Sequence, residues 1–173
     1  MDRVDKVLRY LEEFGRHNYM FNIPRITGKF LHLLIKIKKP KKILEIGTSN
    51  GYSTIWLGME GNEIITIEKD KNRAMMAKAN FEAAGLGNIK VIEGDALEVL
   101  DKINEEFDFV FIDGRKNEYL DYLKKIKVKG IVVADNIISH TDSVQDYVMH
   151  VRKHHYSVLL EIGSGVEVSF IEL

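Results

Sequence analysis

The chain contains no cysteine and only two prolines among its 173 residues. Without thiols it can form no disulfide, no thiolate metal site and no cysteine nucleophile, so any metal must use oxygen or imidazole ligands. No uninterrupted apolar run approaches the roughly 18 residues of a membrane span. Charge of one sign does not dominate either, because 25 lysines and arginines stand against 26 aspartates and glutamates. These absences predict a cytoplasmic protein with no general attraction to nucleic acid or membranes.

The length of the chain fits a single domain with a proper hydrophobic core. Residues 1–37 are predicted to form N-terminal helices, and residues 38–173 to form the core of the domain. Val4, Leu8 and Leu11 recur at helical spacing, and Gly15 predicts the end of this first helix. The second helix is expected to begin near Pro24, since proline is favoured in a first helical turn.

From residue 43 onward, short apolar runs alternate with segments of helical length. The predicted strands are 43–46, 64–67, 89–92, 109–112 and 131–134, and the predicted helices are 52–59, 71–84, 96–103, 118–125 and 143–153. This alternation favours a parallel sheet with helices on both faces, and the continuous apolar runs predict strands buried on both sides. Two further runs, 156–162 and 166–171, flank a glycine-rich connection and predict a closing antiparallel hairpin.

A glycine-containing turn follows the first predicted strand. Gly47 permits a tight turn, and Gly51 permits a close approach between backbone and ligand. The middle position is Ser49, so the loop differs from the G-x-G-x-x-G loop that holds a pyrophosphate, and it suits a smaller ligand. The alternative is an ordinary strand-to-helix turn that simply needs glycine.

Acidic residues at the ends of the next two strands favour a nucleoside site beside this turn. Glu68 closes the second strand about twenty residues after the glycines, where a carboxylate can accept both ribose hydroxyls. Asp95 follows the third strand, where it can accept from an adenine amino group or only cap the next helix. Because open parallel sheets bind ligands at the carboxyl ends of their strands, these positions predict one site.

Oxygen-bearing side chains also end the fourth and fifth strands. Asp113 follows the fourth, and Asp135 with Asn136 follows the fifth. If these strands are neighbours, two carboxylates and an amide oxygen meet at one edge, a set that suits Mg²⁺. Each acid alone would also serve as a helix cap. Lys116 would then lie above the cation, or it is one solvated lysine among several.

Five segments together resemble the metal-dependent O-methyltransferases of the catechol and caffeoyl-CoA type: LEIGTSNGYSTIWL, TIEKD, VIEGDA, FDFVFIDGRKNEYLDYL and KGIVVADNI. The resemblance covers roughly Tyr19 to the C-terminus. It implies an α/β, Rossmann-like three-layer sandwich with a seven-stranded, mostly parallel sheet and a C-terminal antiparallel hairpin. It further implies a homodimer that uses S-adenosylmethionine and a divalent cation to methylate a hydroxyl of a small catechol-like or phenolic acceptor.

The same resemblance implies roles for individual residues. Lys116 matches the general base of the family, and Asp113, Asp135 and Asn136 match the metal ligands. Tyr19 is expected near the substrate mouth. The residues expected to bind S-adenosylmethionine are Asn22, Ile23, Glu45, Gly47, Thr48, Ser49, Gly51, Ser53, Glu68, Lys69, Asp95, Ala96 and Asp113.

The sequence also departs from the family pattern. The chain is expected to be short at its N-terminus, and Gly114 and Arg115 replace bulkier residues that wall the acceptor pocket, which leaves the acceptor open. Glu161 and Glu167, near the hairpin, are candidates for the acid that some members use on a second hydroxyl. His140 follows the fifth strand closely and is expected to overhang the pocket.

Three other functions remain open at this point. The basic runs Lys36–Lys42 and Lys124–Lys129, if they share a face, favour a tRNA hydroxyuridine acceptor. An NAD-dependent oxidoreductase would share the parallel sheet and the ribose acid, but the three-glycine phosphate loop that it needs is missing. A non-catalytic cofactor-binding module would have no use for Lys116 or for the oxygen-bearing metal set.

Overall fold

A computed structural model describes residues 3–172 and confirms the predicted α/β fold. The helices are α1 Arg3–His17, α2 Arg25–Lys38, α3 Tyr52–Gly58, α4 Lys71–Ala84, α5 Ala96–Leu100, α6 Tyr119–Lys125 and α7 Thr141–His154. A short 3₁₀ helix, Lys116–Glu118, precedes α6. The strands are β1 Lys42–Ile46, β2 Glu63–Glu68, β3 Ile89–Glu93, β4 Glu106–Ile112, β5 Lys127–Ala134, β6 Tyr156–Leu160 and β7 Val166–Ile171. In this described range, no helix combines the length and apolar character needed to cross a membrane.

The strands form one sheet in the order β3-β2-β1-β4-β5-β7-β6. Strands β1 to β5 run parallel, while β7 lies antiparallel between β5 and β6 and so completes the predicted hairpin. Strand β1 pairs with β2 on one side and with β4 on the other, so the chain reverses its direction of winding there. At such a reversal a crevice opens beyond the carboxyl ends of the strands, and open parallel sheets bind ligands in it.

Helices cover both faces of the sheet, as the alternating pattern predicts. One hydrophobic core lies between the sheet and α1 to α4, and it includes Leu8, Leu31, Ile55 and Phe81. The other lies beneath α5 to α7 and includes Leu100, Tyr122 and Tyr147. Because α1 and α2 belong to the same core as strand β1, the N-terminal helices pack as part of the sandwich.

The prediction that Gly15 ends the first helix is wrong, because α1 continues to His17. Gly15 is buried, and a Cβ atom there would lie 2.9 Å from both Asn22 Nδ2 and Met20 O. The glycine therefore lets the following segment pack closely against α1. Nothing in the local sequence distinguishes this use of glycine from a helix stop.

Several other predicted boundaries are corrected by the sheet. The third strand is not buried on both sides, because β3 is an edge strand with partly exposed residues. Strands β4 and β5 begin earlier than predicted, at Glu106 and Lys127. In these first parts of both strands, buried residues alternate with more exposed ones. Helix α5 ends at Leu100 instead of residue 103, and β6 ends at Leu160 instead of residue 162.

Candidate active site

A cavity of about 860 Å³ opens at the carboxyl ends of the parallel strands. Residues at the ends of β1 to β5 all line it: Ile46 and Gly47, Ile67 and Glu68, Gly94 and Asp95, Asp113, and Asp135 and Asn136. The segment between α1 and α2 and the connection between β6 and β7 also contribute to the wall, as do Arg73 of α4, Lys116 of the 3₁₀ helix and His140 in the turn after β5. This volume falls in the range of pockets for small ligands and cofactors.

The two glycines of the turn after β1 serve different purposes. Gly47 lines the cavity with a φ of +99°, and a Cβ atom there would lie 2.4 Å from the carbonyl oxygen of Asp113. Only glycine therefore lets β1 and β4 approach at this point. Gly51 does not line the cavity; its φ is +87°, and a Cβ atom would lie 2.5 Å from the ring of Phe81. The close approach that Gly51 permits is therefore between the backbone and α4, and not between the backbone and a ligand.

Glu68 and Asp95 lie on the wall of the cavity beyond the glycine turn. The Glu68 carboxylate accepts from the backbone N–H of Ser49 at 2.7 Å and of Asp70 at 2.8 Å, which holds it in place. Asp95 accepts from the backbone N–H of Leu97 at 3.1 Å, so it caps α5, and it also pairs with Lys69 at 3.0 Å. Lys69 more than any other group lowers the pKa of Asp95, so this carboxylate stays ionised.

The structure brings nine of the residues predicted to bind the cofactor to this cavity and places four elsewhere. Those that line it are Asn22, Ile23, Gly47, Ser49, Glu68, Lys69, Asp95, Ala96 and Asp113. Glu45, Thr48, Gly51 and Ser53 lie behind the wall.

Three of these four residues belong to a buried hydrogen-bond network. Glu45 is fully buried and accepts from the hydroxyls of Ser53 at 2.6 Å, Thr66 at 2.6 Å and Thr54. Thr66 is in turn 2.6 Å from the hydroxyl of Thr48. The network therefore joins β1, β2, the glycine turn and α3. Burial raises the pKa of Glu45 to about 7, although the three hydroxyls act in the opposite direction.

This raised pKa predicts that the ligand-free protein loses stability as pH rises. The folded state binds the Glu45 proton more tightly than the unfolded chain, so its contribution is complete below the unfolded pKa and is lost as pH approaches 7. The loss is up to about 3 kcal/mol. Urea unfolding at pH 5 and pH 8 measures it. The Glu45→Gln variant should show a smaller decrease in the free energy of unfolding between these pH values.

Glu13→Gln is the matched control, because Glu13 is exposed on α1. It should keep the pH dependence of the unmodified chain. Equal pH dependence in all three proteins would contradict a titrating Glu45.

The three predicted metal ligands lie together at one end of the cavity. Asp135 is only 2% exposed, and its Oδ1 is buried without a hydrogen-bond partner among the described residues. Burial, followed by the charge of Asp113, raises the pKa of Asp135 to about 7. Within residues 3–172 no three His, Asp or Glu side chains are arranged to hold a metal, so a cation here would also need the Asn136 amide.

Lys116 lies beside this group on the 3₁₀ helix after β4. Its ammonium donates to Asp113 Oδ1 at 2.7 Å and lies 5.4 Å from the centre of the Tyr119 ring. Tyr119 is fully buried, and its hydroxyl donates to the backbone carbonyl of Asp135 at 3.1 Å. Burial raises the pKa of Asp113, whereas Lys116 and His140 lower it. One aromatic residue thus connects the lysine with the end of β5.

Segments that are distant in sequence form the rim of the cavity. Tyr19 and Phe21 line it and are 85% and 93% exposed, so both aromatic rings are free to contact a ligand. Ser164, from the hairpin connection, lies on the same rim. Tyr19 was expected from the resemblance, but Phe21 and Ser164 were missed. In the sequence, the aromatic residue next to Asn22 offered a weak signal, and Ser164 offered none.

The two glutamates considered near the hairpin do not line the cavity. Glu167 is fully buried on β7, where Arg152 donates to it at 2.8 and 2.7 Å and Ser157 donates at 2.7 Å. Glu161 is exposed just after β6. Glu167 therefore ties α7 to the hairpin, and neither acid is placed to act on a substrate in this cavity.

Comparison with known proteins adds an independent observation. A family model described as O-methyltransferase matches residues 3–168. The chain is 32% identical to a catechol O-methyltransferase from Niastella koreensis, with 84% of this chain and 73% of that protein covered. It is 36% identical to a catechol O-methyltransferase from Mycobacterium tuberculosis, with 67% of this chain and 59% of that protein covered.

A solved structure has the same architecture. The O-methyltransferase from Bacillus cereus in complex with S-adenosylhomocysteine superposes with a TM-score of 0.84 at 26% identity. The superposition covers 96% of this chain and 91% of the Bacillus chain. The likeness therefore extends over the sheet, its helices and the strand ends that line the cavity.

Proposed function

Because the chain belongs to the O-methyltransferase family, we propose that it transfers the methyl group of S-adenosylmethionine to a hydroxyl of a small phenolic or catechol-like acceptor, with a divalent cation assisting. Membership of the family confirms the resemblance stated from the sequence motifs. One observation carries the finer proposal: Glu68, Lys116 and the Asp113–Asp135–Asn136 group all line a single cavity. A nucleoside and a hydroxylated acceptor can therefore meet within it.

The cofactor is assigned to the side of the cavity formed by β1, β2 and β3. Glu68 would accept the ribose hydroxyls through the lone pairs that its two backbone donors leave free. Asp95 and Ala96 would face the adenine. Asn22 Oδ1 is buried without a partner among the described residues while its Nδ2 donates to Leu11 O at 2.9 Å. This oxygen would accept from the ammonium group of the methionine part.

The cation is assigned to Asp113, Asp135 and Asn136. The residues fit such an ion, because the buried and unpartnered Asp135 Oδ1 requires a positively charged or hydrogen-donating ligand. Two carboxylates and an amide are hard oxygen donors of the kind that Mg²⁺ prefers. When bound, the cation stabilises negative charge on the acceptor oxygen.

Lys116 is assigned to accepting the proton of the acceptor hydroxyl, which it would do as the neutral amine, with the bound cation replacing it as the charge partner of Asp113. Its side chain is 19% exposed at the cavity, and the contact with Asp113 places Nζ beside the residues assigned to the cation. The oxygen then attacks the methyl carbon of the sulfonium, the C–S bond breaks, and S-adenosylhomocysteine leaves. The surrounding residues contribute position and charge, and no covalent bond to the protein is required.

A radiolabelled methyl-transfer assay with catechol tests the proposal. We expect product with S-adenosylmethionine and MgCl₂, loss of at least about 90% of the rate with excess EDTA, and recovery when Mg²⁺ is restored. NAD in place of S-adenosylmethionine should neither bind nor react. Product formation that is indifferent to EDTA would remove the cation from the proposal. Cofactor binding without turnover on any phenolic acceptor would favour the non-catalytic alternative.

The tRNA alternative receives less support from the position of the basic runs. The two runs come near each other at one point, because Lys38 Cε lies 3.3 Å from the place where a Cβ atom on Gly130, the residue after the second run, would be. Strands β1 and β5 begin at Lys42 and Lys127, so this point lies at the amino ends of the strands. The cavity opens at the opposite ends. A nucleic acid held on these lysines would lie away from the cavity.

The homodimer that the resemblance implies stays a prediction. Light scattering of the protein in solution would test it.

A further inference from the structure

We propose that His140 is a specificity-determining residue that selects acceptors carrying a carboxylate or carbonyl group in addition to the reacting hydroxyl. The proposal rests on the proposed methyl transfer and deepens it. His140 lines the cavity at the end of the turn between β5 and α7, and its side chain is exposed. It is close enough to Asp113 for its charge to act on that carboxyl. The imidazole therefore borders the part of the cavity that contains the residues assigned to the cation, where the acceptor hydroxyl would react.

The turn that carries His140 is held firmly. Asn136 has a φ of +64°, and its carbonyl accepts from the backbone N–H of His140 at 3.0 Å. The N–H groups of Ile137 and Ile138 donate to the carbonyls of Gly165 and Ser164, each at 3.0 Å. A Cβ atom on Gly165 would lie 2.5 Å from Ile138, so turn and hairpin are in direct contact. A side chain on such a support loses little freedom when it binds a ligand.

Ser139 engages one of the two ring nitrogens of His140. Its Oγ lies 2.9 Å from His140 Nδ1 and 3.4 Å from the carbonyl of Asn136. The contact with Ser139 therefore occupies Nδ1, and Nε2 is the second nitrogen of the ring. Among the described residues Nε2 makes no hydrogen bond. Nε2 is therefore the ring nitrogen left for a ligand, and when it carries a proton it donates to a carboxylate or carbonyl oxygen, which is the match that the proposal uses.

The other cations near this part of the cavity are already paired. Arg115 lies 3.1 Å from Glu118, and Lys116 lies 2.7 Å from Asp113. Arg73 lines the cavity from the first turn of α4, which follows β2, and β2 lies three positions from β5 in the sheet. Among the basic side chains near this part of the cavity, His140 is therefore one that a substituent on the acceptor can engage without displacing an existing ion pair.

The test compares two acceptors that differ only in a carboxylate, 3,4-dihydroxybenzoate and catechol. Replacing His140 by phenylalanine keeps a ring and removes the donor. We expect kcat/KM for 3,4-dihydroxybenzoate to fall about ten-fold, mainly through KM, and that for catechol to change less than about two-fold. His140→Gln, which retains an N–H donor, should recover part of the loss.

Two controls separate this role from a structural one. The side chain of His140 makes no capping hydrogen bond to α7, so its replacement leaves the helix start intact, and affinity for S-adenosylhomocysteine should be unchanged. His154→Phe, at the other end of α7 and outside the cavity, should alter neither acceptor.

Three outcomes would be decisive against the proposals. An equal loss of kcat/KM on both acceptors in His140→Phe, or no loss on either, would overturn the inference. The proposed methyl transfer would be unaffected by that result. A wild-type enzyme that binds S-adenosylhomocysteine but methylates neither compound would overturn the proposed phenolic acceptor, and the inference with it.

Discussion

Replacing Asp135 by alanine should lower kcat/KM for methyl transfer by at least about 100-fold, the upper range seen when supporting residues of metal sites are removed. Asp135 is almost completely buried, its Oδ1 has no partner among the described residues, and Asp113 lies close enough to disfavour a second negative charge. Such a carboxylate is stable as an ion only with a cation beside it. Steady-state kinetics at saturating S-adenosylmethionine, with Mg²⁺ varied, measures the loss.

Stability measurements distinguish lost chemistry from lost folding in this variant. Because burial and Asp113 raise the pKa of Asp135 to about 7, its ionised form destabilises the ligand-free fold at pH 8. Removing it should leave Tm at pH 8 unchanged or higher. Asp142→Ala, an exposed acid in the first turn of α7, should keep full activity. Undiminished activity of folded Asp135→Ala would eliminate the proposed cation site.

Replacing Gly47 by alanine should have the second large effect, on stability and on cofactor binding together. The new Cβ atom would lie 2.4 Å from the carbonyl oxygen of Asp113, and both atoms are fixed to backbone in the centre of the sheet. The residue would also be held at a φ of +99°. We expect the free energy of unfolding to fall by about 3 kcal/mol or more. Urea unfolding measures this, and calorimetry should show weakened binding of S-adenosylhomocysteine.

Gly61 offers a matched control for the backbone conformation. Its φ is +80°, but a Cβ atom there would meet nothing within 4 Å. Gly61→Ala should therefore cost only the conformational penalty, about 1 kcal/mol, and should leave cofactor binding intact. If the two alanine variants are equally destabilised, the contact with Asp113 is not what requires glycine at position 47.

Much of the site is predictable because it follows strand ends. Glu68, Asp95, Asp113 and Asp135 each come just after a short apolar run, and a parallel sheet places all such ends at one edge. The prediction needs only the order of elements along the chain. The sheet order then decides that β4 and β5 are neighbours, which brings Asp113 and Asp135 close together.

Other residues of the sequence motifs do not line the cavity, and the motifs themselves do not show why. Glu45 and Ser53 belong to the segment that resembles a cofactor loop, yet they bond to each other behind the wall of the cavity. Gly51 is required by the ring of Phe81, thirty positions away in the sequence. Sequence spacing says which strand end carries a residue, but whether its side chain faces ligand or core depends on the elements packed behind it.

The sequence by itself determined the alternation of strands and helices, the family and the set of acids, because hydrophobic period and strand-end position are local properties. Only the tertiary structure decided that α1 continues past Gly15, that Glu167 is tied to Arg152, and that the hairpin supports the turn carrying His140. These features depend on contacts between distant segments. Steric fit and hydrogen bonding across such contacts leave no periodic trace along the chain.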